Sequence, residues 1–417
     1  MFRRRRLLFA AVALPVVLAA VVAVQVATAR DGATTIGPGL GADYPAFYAA
    51  GRLLREYPGD RLYDLSLQTQ LGNEARPGAP PEGGLLFVHP PPAALPFVPL
   101  AALPYTASYL AWMAVSVGAA AAGLAVLRRG CANLSREDWF TAAGLGLAAQ
   151  PLLAESIVGG QIAVMAFASA CLALVCVRRE HLFLAGLALS LLAYKPTLLL
   201  LFAPLVLLGG RWRVVAGLAV GGLAFLALSL LIAGPSGCLD WVRLMTGYGR
   251  LSAESAGSFR LFKFADLNSA LRLTFGDSAW VAVAAAVLAA PPLAWLAAAW
   301  VRRSRYDEGA LWAATTTWTL VLNLHVAAYD LSLAVPGVLV TLDTLARRNG
   351  GQLALAPLDR AVLAVAWCVP WVAQPVAMAT SVNLLTPVLV VLAAWQLRAA
   401  RNPAPESLPL TPGERPA

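Results

Sequence analysis

The sequence has few charged residues for its length, and lysine is almost missing. Charged residues make up 13% of the 417 positions, against about 25% in soluble domains, and the two lysines are Lys195 and Lys263. Hydrophobic residues reach 59%, above the roughly 45 to 50% of soluble domains. This balance excludes an ordinary soluble protein. Apolar runs recur along nearly the whole chain and indicate a polytopic membrane protein.

Cysteines and histidines are also few, and no familiar metal or nucleotide motif is present. The five cysteines lack CxxC spacing, so we expect free thiols and no disulfide framework. The three histidines, His89, His181 and His325, are too dispersed for a metal motif. Neither a GxxxxGKS or GxxxxGKT motif nor a GxGxxG after a strand-like run occurs, so nothing suggests nucleotide binding. We predict no bound metal and no cofactor.

The net charge of +9 comes mainly from short arginine clusters that separate the apolar runs. In a soluble protein such a charge would suggest a nucleic-acid partner. Here the clusters have the positions of topology determinants, because basic residues stay on the cytoplasmic side of a membrane. We therefore predict no nucleic-acid binding and expect a multi-pass protein of a bacterial cytoplasmic membrane.

The apolar runs predict about 12 transmembrane helices with both termini in the cytoplasm. The predicted spans are 7–29, 105–127, 139–158, 161–177, two short helices within 182–208, 214–233, 280–301, 311–324, 331–345, 361–379 and 384–397. Tyr194-Lys195-Pro196 divides the long run, because proline disfavours helix in the residue before it. The resulting hairpin places Lys195 on the outer face, whereas one long span would invert every later assignment. Residues 1–29 are alternatively a cleaved signal peptide.

The expected fold class is an all-α polytopic membrane protein in which residues 1–397 form one domain. Two of its outer loops, 30–104 and 234–279, are large. The first is punctuated by proline and glycine, and its amphipathic stretches at 44–57 and 62–71 are expected to form helices. The tail, 398–417, is rich in proline and glutamate, and we expect it to be disordered and cytoplasmic.

With this topology, the polar residues that the apolar pattern does not explain gather on the outer side. Ionisable groups at membrane depth are costly and usually mark a pathway or a site. A cluster on one side indicates an enzyme of the outer leaflet, because an alternating-access transporter places its site near the midplane between pseudo-symmetric halves. We see no internal inverted repeat. The outer residues are Asp43, Tyr44, Tyr48, Tyr63, Asp64, His89, Glu155, Gln161, Lys195, Asp266, Asn268, His325, Tyr329 and Asp330.

The first outer loop and the spans after it contain a series of short motifs. In order, these are Gly41-Ala42-Asp43-Tyr44-Pro45-Ala46-Phe47-Tyr48-Ala49-Ala50-Gly51, Leu62-Tyr63-Asp64, Phe87-Val88-His89-Pro90-Pro91-Pro92 ahead of Pro99-Leu100 and Leu103-Pro104, Gly160-Gln161, Ala185-Gly186-Leu187, Lys195-Pro196 and Arg211-Trp212-Arg213. Together they resemble glycosyltransferase family 87. The resemblance covers residues 41–213, while the C-terminal third matches mainly in hydropathy. His89 departs from the family, which has an aromatic residue before the prolines.

The resemblance implies a GT-C fold, in which many transmembrane helices carry catalytic loops outside the membrane. It implies a sugar donor carried on polyprenyl phosphate, and transfer of the sugar, mannose or arabinofuranose in known members, to an acceptor glycan or glycolipid. The partners expected are thus the lipid-linked donor, the acceptor and membrane lipids. The alternative is a transporter or flippase of lipid-linked sugars, which the one-sided polar cluster argues against.

Asp43 is the candidate catalytic base. An inverting transfer needs a carboxylate that takes the proton of the acceptor hydroxyl as this hydroxyl attacks C1 of the sugar. Asp43 follows the first span and matches the acidic position of the family. The alternative is that Asp43 caps the amphipathic helix that begins near Tyr44.

The departing phosphate needs positive or hydrogen-bonding groups. Lys195 suits a phosphate as a point charge, or it is an interfacial lysine that extends to the headgroups. His325 is the second catalytic candidate, because a histidine can pair with a phosphate or assist the base. Tyr329 and Asp330 lie a helical turn beyond it and are candidates for substrate binding, although Asp330 could cap the next helix.

Further substrate-binding candidates are Tyr44, Tyr48, His89 and Gln161. Gln161 could contact the donor, or it could form an interhelical hydrogen bond. Asp64 is expected to be a structural loop residue, and His181 is cytoplasmic in this topology. Lys263 and Arg260 lie in the second outer loop, where they are expected to be solvated, although they could alternatively bind a lipid phosphate or the acceptor.

Overall fold

The computed structural model describes residues 2–30, 34, 39–76, 78, 85–254 and 261–402. These residues form an all-α protein without a β-strand, and isolated bridges join Phe264 with Ala327 and Tyr306 with Arg401. Arg260 and residues 403–417, most of the predicted tail, lie outside the described residues. The expected all-α class is confirmed.

Seventeen α-helices are found in the described ranges. They are α1 (Phe2–Thr28), α2 (Tyr44–Glu56), α3 (Leu65–Ala75), α4 (Phe97–Leu100), α5 (Tyr105–Arg128), α6 (Arg136–Leu147), α7 (Ala163–Arg178), α8 (Leu182–Ser190), α9 (Phe202–Leu208), α10 (Trp212–Glu254), α11 (Leu267–Phe275), α12 (Ala279–Val301), α13 (Glu308–Val321), α14 (Ala334–Arg348), α15 (Pro357–Cys368), α16 (Pro370–Thr380) and α17 (Leu385–Ala400). Residues Pro151–Val158 form a π-helix. Short 3₁₀ segments are Gly59–Tyr63, Pro91–Ala94, Leu191–Tyr194, Pro196–Leu199, Leu261–Lys263, Arg303–Arg305 and Ala328–Leu333.

Within the described ranges, five helical runs are long and apolar enough to cross a membrane, and the number rises to seven if two bent pairs each count as one span. In the bent pairs, α6 meets the π-helix at 50° and α15 meets α16 at 62°. Four further apolar helices have 10 to 17 residues. The multi-pass architecture is thus confirmed, whereas the predicted number of about 12 spans is not. The difference arises because breaks shorten several of the apolar runs.

The breaks have local causes in the sequence. Lys195 adopts φ −136° and ψ 83°, which are not helical, because Pro196 disfavours helix at the residue before it. Helix α10 bends at Gly234, whose φ of 64° and ψ of 177° are not helical. After this bend the chain remains helical to Glu254. The segment predicted as the second outer loop, 234–279, which we call the second outer segment, therefore begins as a helix.

The arginine clusters meet at one end of the bundle. Arg178, at the end of α7, pairs with Asp343 of α14 and lies 3.7 Å from Asp307 at the start of α13. Asp343 Oδ1 also accepts hydrogen bonds from the backbone N–H groups of Asn133 and Leu134, at 2.8 and 3.1 Å. Arg347, in the last turn of α14, pairs with Asp307 at 2.7 Å. Basic residues at the ends of α7 and α14 thus share one polar network, and we call the end of the bundle around Arg178, Asp307, Asp343 and Arg347 the arginine face.

The end of α17 corrects the predicted start of the tail. Arg398 was expected to open a disordered segment, but α17 continues to Ala400. The carbonyl of Ala400 accepts a hydrogen bond from the Asp307 N–H at 2.7 Å, and the Asn402 N–H donates to the Arg305 carbonyl at 2.8 Å. Residues 398–402 are therefore part of the arginine face.

Candidate functional site

The site begins at the turn before α2. Gly41 and Ala42 have φ values of 79° and 33°, and this left-handed turn directs Asp43 toward the loop after the π-helix. The Asp43 N–H donates to the Gly159 carbonyl at 3.1 Å, and Gln161 Nε2 donates to Asp43 Oδ2 at 2.6 Å. The Asp43 side chain makes no capping hydrogen bond to α2. The capping alternative is therefore wrong, and Asp43 instead pairs with Gln161.

Gly160 allows this close approach. Its φ is 75°, and a Cβ there would lie 2.6 Å from Tyr44 Cβ, well inside the usual carbon contact of about 3.5 to 4.0 Å. A side chain at this position would separate the loop from α2. The lack of a side chain at Gly160 thus allows the next residue, Gln161, to bring its amide into hydrogen-bond contact with Asp43.

Tyr44 and Tyr48 pack inside the protein, and the contact with substrate that the sequence predicts for them stays a prediction. The Tyr44 side chain is fully buried, and its hydroxyl forms a 2.6 Å hydrogen bond with Ser108 Oγ. The Tyr48 hydroxyl donates to the Leu103 carbonyl at 3.0 Å. Both phenols are satisfied inside the protein, so they fix α2 against the start of α5.

Glu155 was among the outer polar residues, but no role was assigned to it from the sequence. It lies in the π-helix, and its Oε1 accepts hydrogen bonds from Gln150 Nε2 and Gln374 Nε2, each at 2.7 Å. The charges of Lys263 and Asp43 lie close enough to act on it. A carboxylate in an apolar run was the signal that could have identified this position.

Lys195 forms an ion pair with Asp330, whose side chain is fully buried. The ammonium also lies 5.2 Å from the ring centre of Tyr329, within the range of a cation–π interaction. Asp330 Oδ2 accepts a 3.0 Å hydrogen bond from the Ala327 N–H. Lys195 is therefore held within the protein by Asp330 and Tyr329, the two residues that the sequence also predicts to bind substrate. Asp330 in addition caps the 3₁₀ segment that begins at Ala328.

His89 is buried beside this pair. Its Nδ1 lies 3.2 Å from the Tyr194 carbonyl oxygen, and its ring stacks on Phe47 of α2 with the ring centres 5.5 Å apart. Burial, followed by the charge of Lys195, lowers the pKa of His89 from an ordinary value of 6.5 to about 4. The imidazole is therefore neutral at neutral pH, and it connects α2 to the break at Lys195.

His325 lies in the loop between α13 and the 3₁₀ segment. Its ring centre is 4.2 Å from that of Phe264. Burial and then the charge of Lys195 lower its pKa to about 4. The loop is held by the second outer segment, because Val326 donates its N–H to Asp266 Oδ2 at 3.0 Å and accepts from the Ala265 N–H at 2.7 Å.

The candidate residues therefore form two groups at the end of the bundle opposite the arginine face. Asp43, Gln161 and Glu155 form the first group. Lys195, Asp330, Tyr329, His89 and His325 form the second. Ser156 Oγ, next to Glu155, donates to the Tyr329 carbonyl at 3.3 Å, which joins the groups. We name the combined region the outer polar site, after the side of the membrane that the sequence predicts for it.

Two other expectations concern residues near this site. Asp64 accepts hydrogen bonds from the N–H groups of Ser66 and Leu67 at 3.1 and 3.2 Å. The Ser66 hydroxyl and then the Arg61 guanidinium lower the Asp64 pKa to about 2, so it caps α3 and is structural, as expected. Among the described residues, no group of three or more His, Cys, Asp or Glu side chains could hold a metal ion.

Comparison with known proteins identifies one family. The family model for glycosyltransferase family 87 matches residues 87–324, more than half of the chain. The matched segment contains His89, Gln161 and Lys195, whereas Asp43 precedes it and His325 follows directly after it. Searches of curated proteins and of solved structures gave no significant match.

Proposed function

The chain belongs to glycosyltransferase family 87, and from this premise we propose that it transfers a sugar from a polyprenyl-phosphate donor to a glycan or glycolipid acceptor, with inversion at C1. The membership and the apolar helices make it a membrane glycosyltransferase. The donor, the acceptor and the base are the parts that we propose.

The observation that carries the proposal is the geometry of Asp43. Gln161 donates to Oδ2, which orients the carboxylate and stabilises its charged form. Within the described part of the chain, no donor bonds the other oxygen, Oδ1, and Asp43 remains partly exposed. Asp43 can therefore receive a proton from a hydroxyl that approaches from the open side.

The reaction then runs in one displacement. The acceptor hydroxyl gives its proton to Asp43 Oδ1 as its oxygen forms a bond to C1 of the donor sugar. The bond between C1 and the phosphate oxygen breaks, and its electron pair leaves with the polyprenyl phosphate. Lys195 supplies positive charge for this phosphate, while His325 and His89, neutral by their lowered pKa values, can contribute hydrogen bonds rather than charge.

The arginine face supports an outer location of the site. Basic residues remain on the cytoplasmic side of bacterial membranes, and the outer polar site lies at the opposite ends of the same helices. For example, α7 begins next to Gln161 and ends at Arg178. We therefore propose that transfer takes place on the extracytoplasmic side.

Asp43→Asn tests the proposal. The protein is reconstituted and incubated with radiolabelled polyprenyl-phosphate sugars and a lipid and glycan extract of its host. We expect the transfer rate to fall by about 10²- to 10⁴-fold, which is the usual contribution of a general base. Asp240→Asn is the matched control, because Asp240 is exposed on the outer part of α10 and pairs only with the nearby Arg243 among described residues.

Each outcome has a clear meaning. Full activity in folded Asp43→Asn protein would remove Asp43 as the base. Failure of folded wild-type protein to transfer sugar from any donor would contradict the proposed reaction, and a lipid-translocation assay would then test the flippase alternative.

A further inference from the structure

Glu155 and two glutamines form a group that the proposed transfer does not use. Gln150 lies just before the π-helix, Glu155 lies within it, and Gln374 belongs to α16, which is outside the segment matched by the family model. Both amides donate to the same oxygen, Glu155 Oε1. A carboxylate in an apolar helix is costly, so a role for this group beyond packing is expected.

The hydrogen bonds within this group leave several oxygen atoms that can accept hydrogen bonds from a ligand. In the described residues, no donor reaches Glu155 Oε2 or the carbonyl oxygens of the Gln150 and Gln374 amides, although Glu155 and Gln374 are partly exposed. A carboxylate repels phosphate, so this surface does not suit an anion. Hydroxyl groups are donors, and a sugar ring presents several of them at neighbouring carbons.

The neighbouring charges favour the same ligand. Asp43 and Lys263 act electrostatically on Glu155 from two different outer segments. The acceptor sugar must present its reactive hydroxyl to Asp43, so its other hydroxyls fall within reach of groups next to Asp43. Lys263 can donate to a ring oxygen or to a hydroxyl oxygen at this place.

We propose that Glu155, Gln150 and Gln374 form a hydroxyl-binding subsite for the acceptor sugar, beside Asp43. This rests on the proposed transfer for the identity of the sugar as the acceptor, but the binding of a sugar ring can be measured without transfer. The donor sugar has the same chemistry, and the experiment separates the two.

The first arm measures binding alone. Saturation-transfer NMR is recorded with methyl α-D-mannopyranoside and methyl α-D-arabinofuranoside on protein in lipid nanodiscs, which contain no glycoside detergent. We expect at least one glycoside to bind the wild type, and Glu155→Gln to weaken this binding by about 10- to 100-fold, the effect of losing a hydrogen bond to a charged group. Glu56→Gln, an exposed carboxylate at the end of α2 that pairs with Arg52, should bind as the wild type does.

The second arm uses transfer kinetics to identify the ring. Glu155→Gln should raise the KM for the acceptor and leave the KM for the donor unchanged. A rise in the donor KM alone would assign the subsite to the donor sugar and overturn the proposal as stated. This arm needs active wild-type protein, so its failure through inactivity counts against the proposed reaction and leaves the binding result standing.

Three results of the first arm overturn the inference. They are no glycoside binding by folded wild type, equal binding by folded wild type and Glu155→Gln, and binding that EDTA abolishes and a divalent cation restores, which would make the group a cation site. Gln374→Ala provides the same test on another helix, where the side chain is half-buried. If Glu155→Gln does not fold, the Gln374→Ala result decides.

Discussion

Replacing Gly160 by alanine should disturb the site through a single contact. The new Cβ would lie 2.6 Å from Tyr44 Cβ and 3.3 Å from Tyr44 Cα. Tyr44 cannot move away, because it is fully buried and its hydroxyl is bonded to Ser108. The loop with Gln161 must therefore withdraw by about 1 Å to reach a normal carbon contact.

The magnitude follows from two contributions. A left-handed backbone at a residue with a Cβ costs about 1 to 2 kcal/mol, and overpacking costs about 1 to 3 kcal/mol more. We expect Gly160→Ala to lower the free energy of unfolding by about 2 to 5 kcal/mol. A displacement of about 1 Å next to a reacting group can cost about 10²-fold in rate, so the transfer rate should fall by this order.

Gly210→Ala separates the two contributions. Gly210 also has a positive φ, 67°, but nothing lies within 4 Å of its added Cβ. Its free energy of unfolding should fall by only about 1 to 2 kcal/mol. It should keep its activity, because its neighbour Arg211 pairs with Glu308, beside Asp307 of the arginine face. Thermal unfolding and initial transfer rates of both variants are compared in nanodiscs. Equal stability and equal activity of the two variants would refute the argument that contact with Tyr44 positions the Gln161 loop.

Two further predictions concern stability. Asp343→Ala should lower the free energy of unfolding by about 3 to 5 kcal/mol, because the largely buried Arg178 loses its closer carboxylate and is left with the more distant Asp307. The more exposed Asp240→Ala should change it by less than about 1 kcal/mol, and equal melting temperatures would contradict this. The folded-state pKa of His89, about 4, lies below its unfolded value of 6.5, so the unfolded state binds the proton first and stability falls as the pH drops from 6.5 toward 4. Between about pH 7.5 and about pH 5 this loss of stability is about 2 kcal/mol. The melting temperature of His89→Gln should therefore fall less steeply with decreasing pH than that of the wild type. The same pH dependence in both proteins would exclude a buried neutral His89.

The helical framework could be predicted from the apolar runs. The run 105–127 corresponds to α5, and the break at Lys195 follows from Pro196, because the local steric rule acts on neighbouring residues. Arginine pairs also mark helix ends in the sequence, because their position depends on the membrane rather than on contacts with distant residues. The span count was less accessible, because hydropathy does not show where a helix bends or stops short.

The site could be predicted only in part. Asp43 and Lys195 are unusual for their surroundings, and this is visible in the sequence. Tyr44 has the same pattern in an amphipathic helix whether its phenol faces a substrate or Ser108, so its orientation could not be read. The link between Glu155 and Gln374 joins residues 219 positions apart, and such a pairing depends on the tertiary packing of the helices.

The second outer segment also constrains the order in which the protein can mature. Asn383 Nδ2 donates to the Phe264 carbonyl at 2.6 Å, and the Thr386 hydroxyl donates to the Ala265 carbonyl at 2.8 Å. These donors lie immediately before and within α17, 119 and 121 residues after the carbonyls that they bind. The segment with Phe264 and Ala265, which supports the His325 loop, can therefore reach its final conformation only after α17 has been synthesised. During biogenesis the protein would therefore hold no completed outer polar site until α17 has been made.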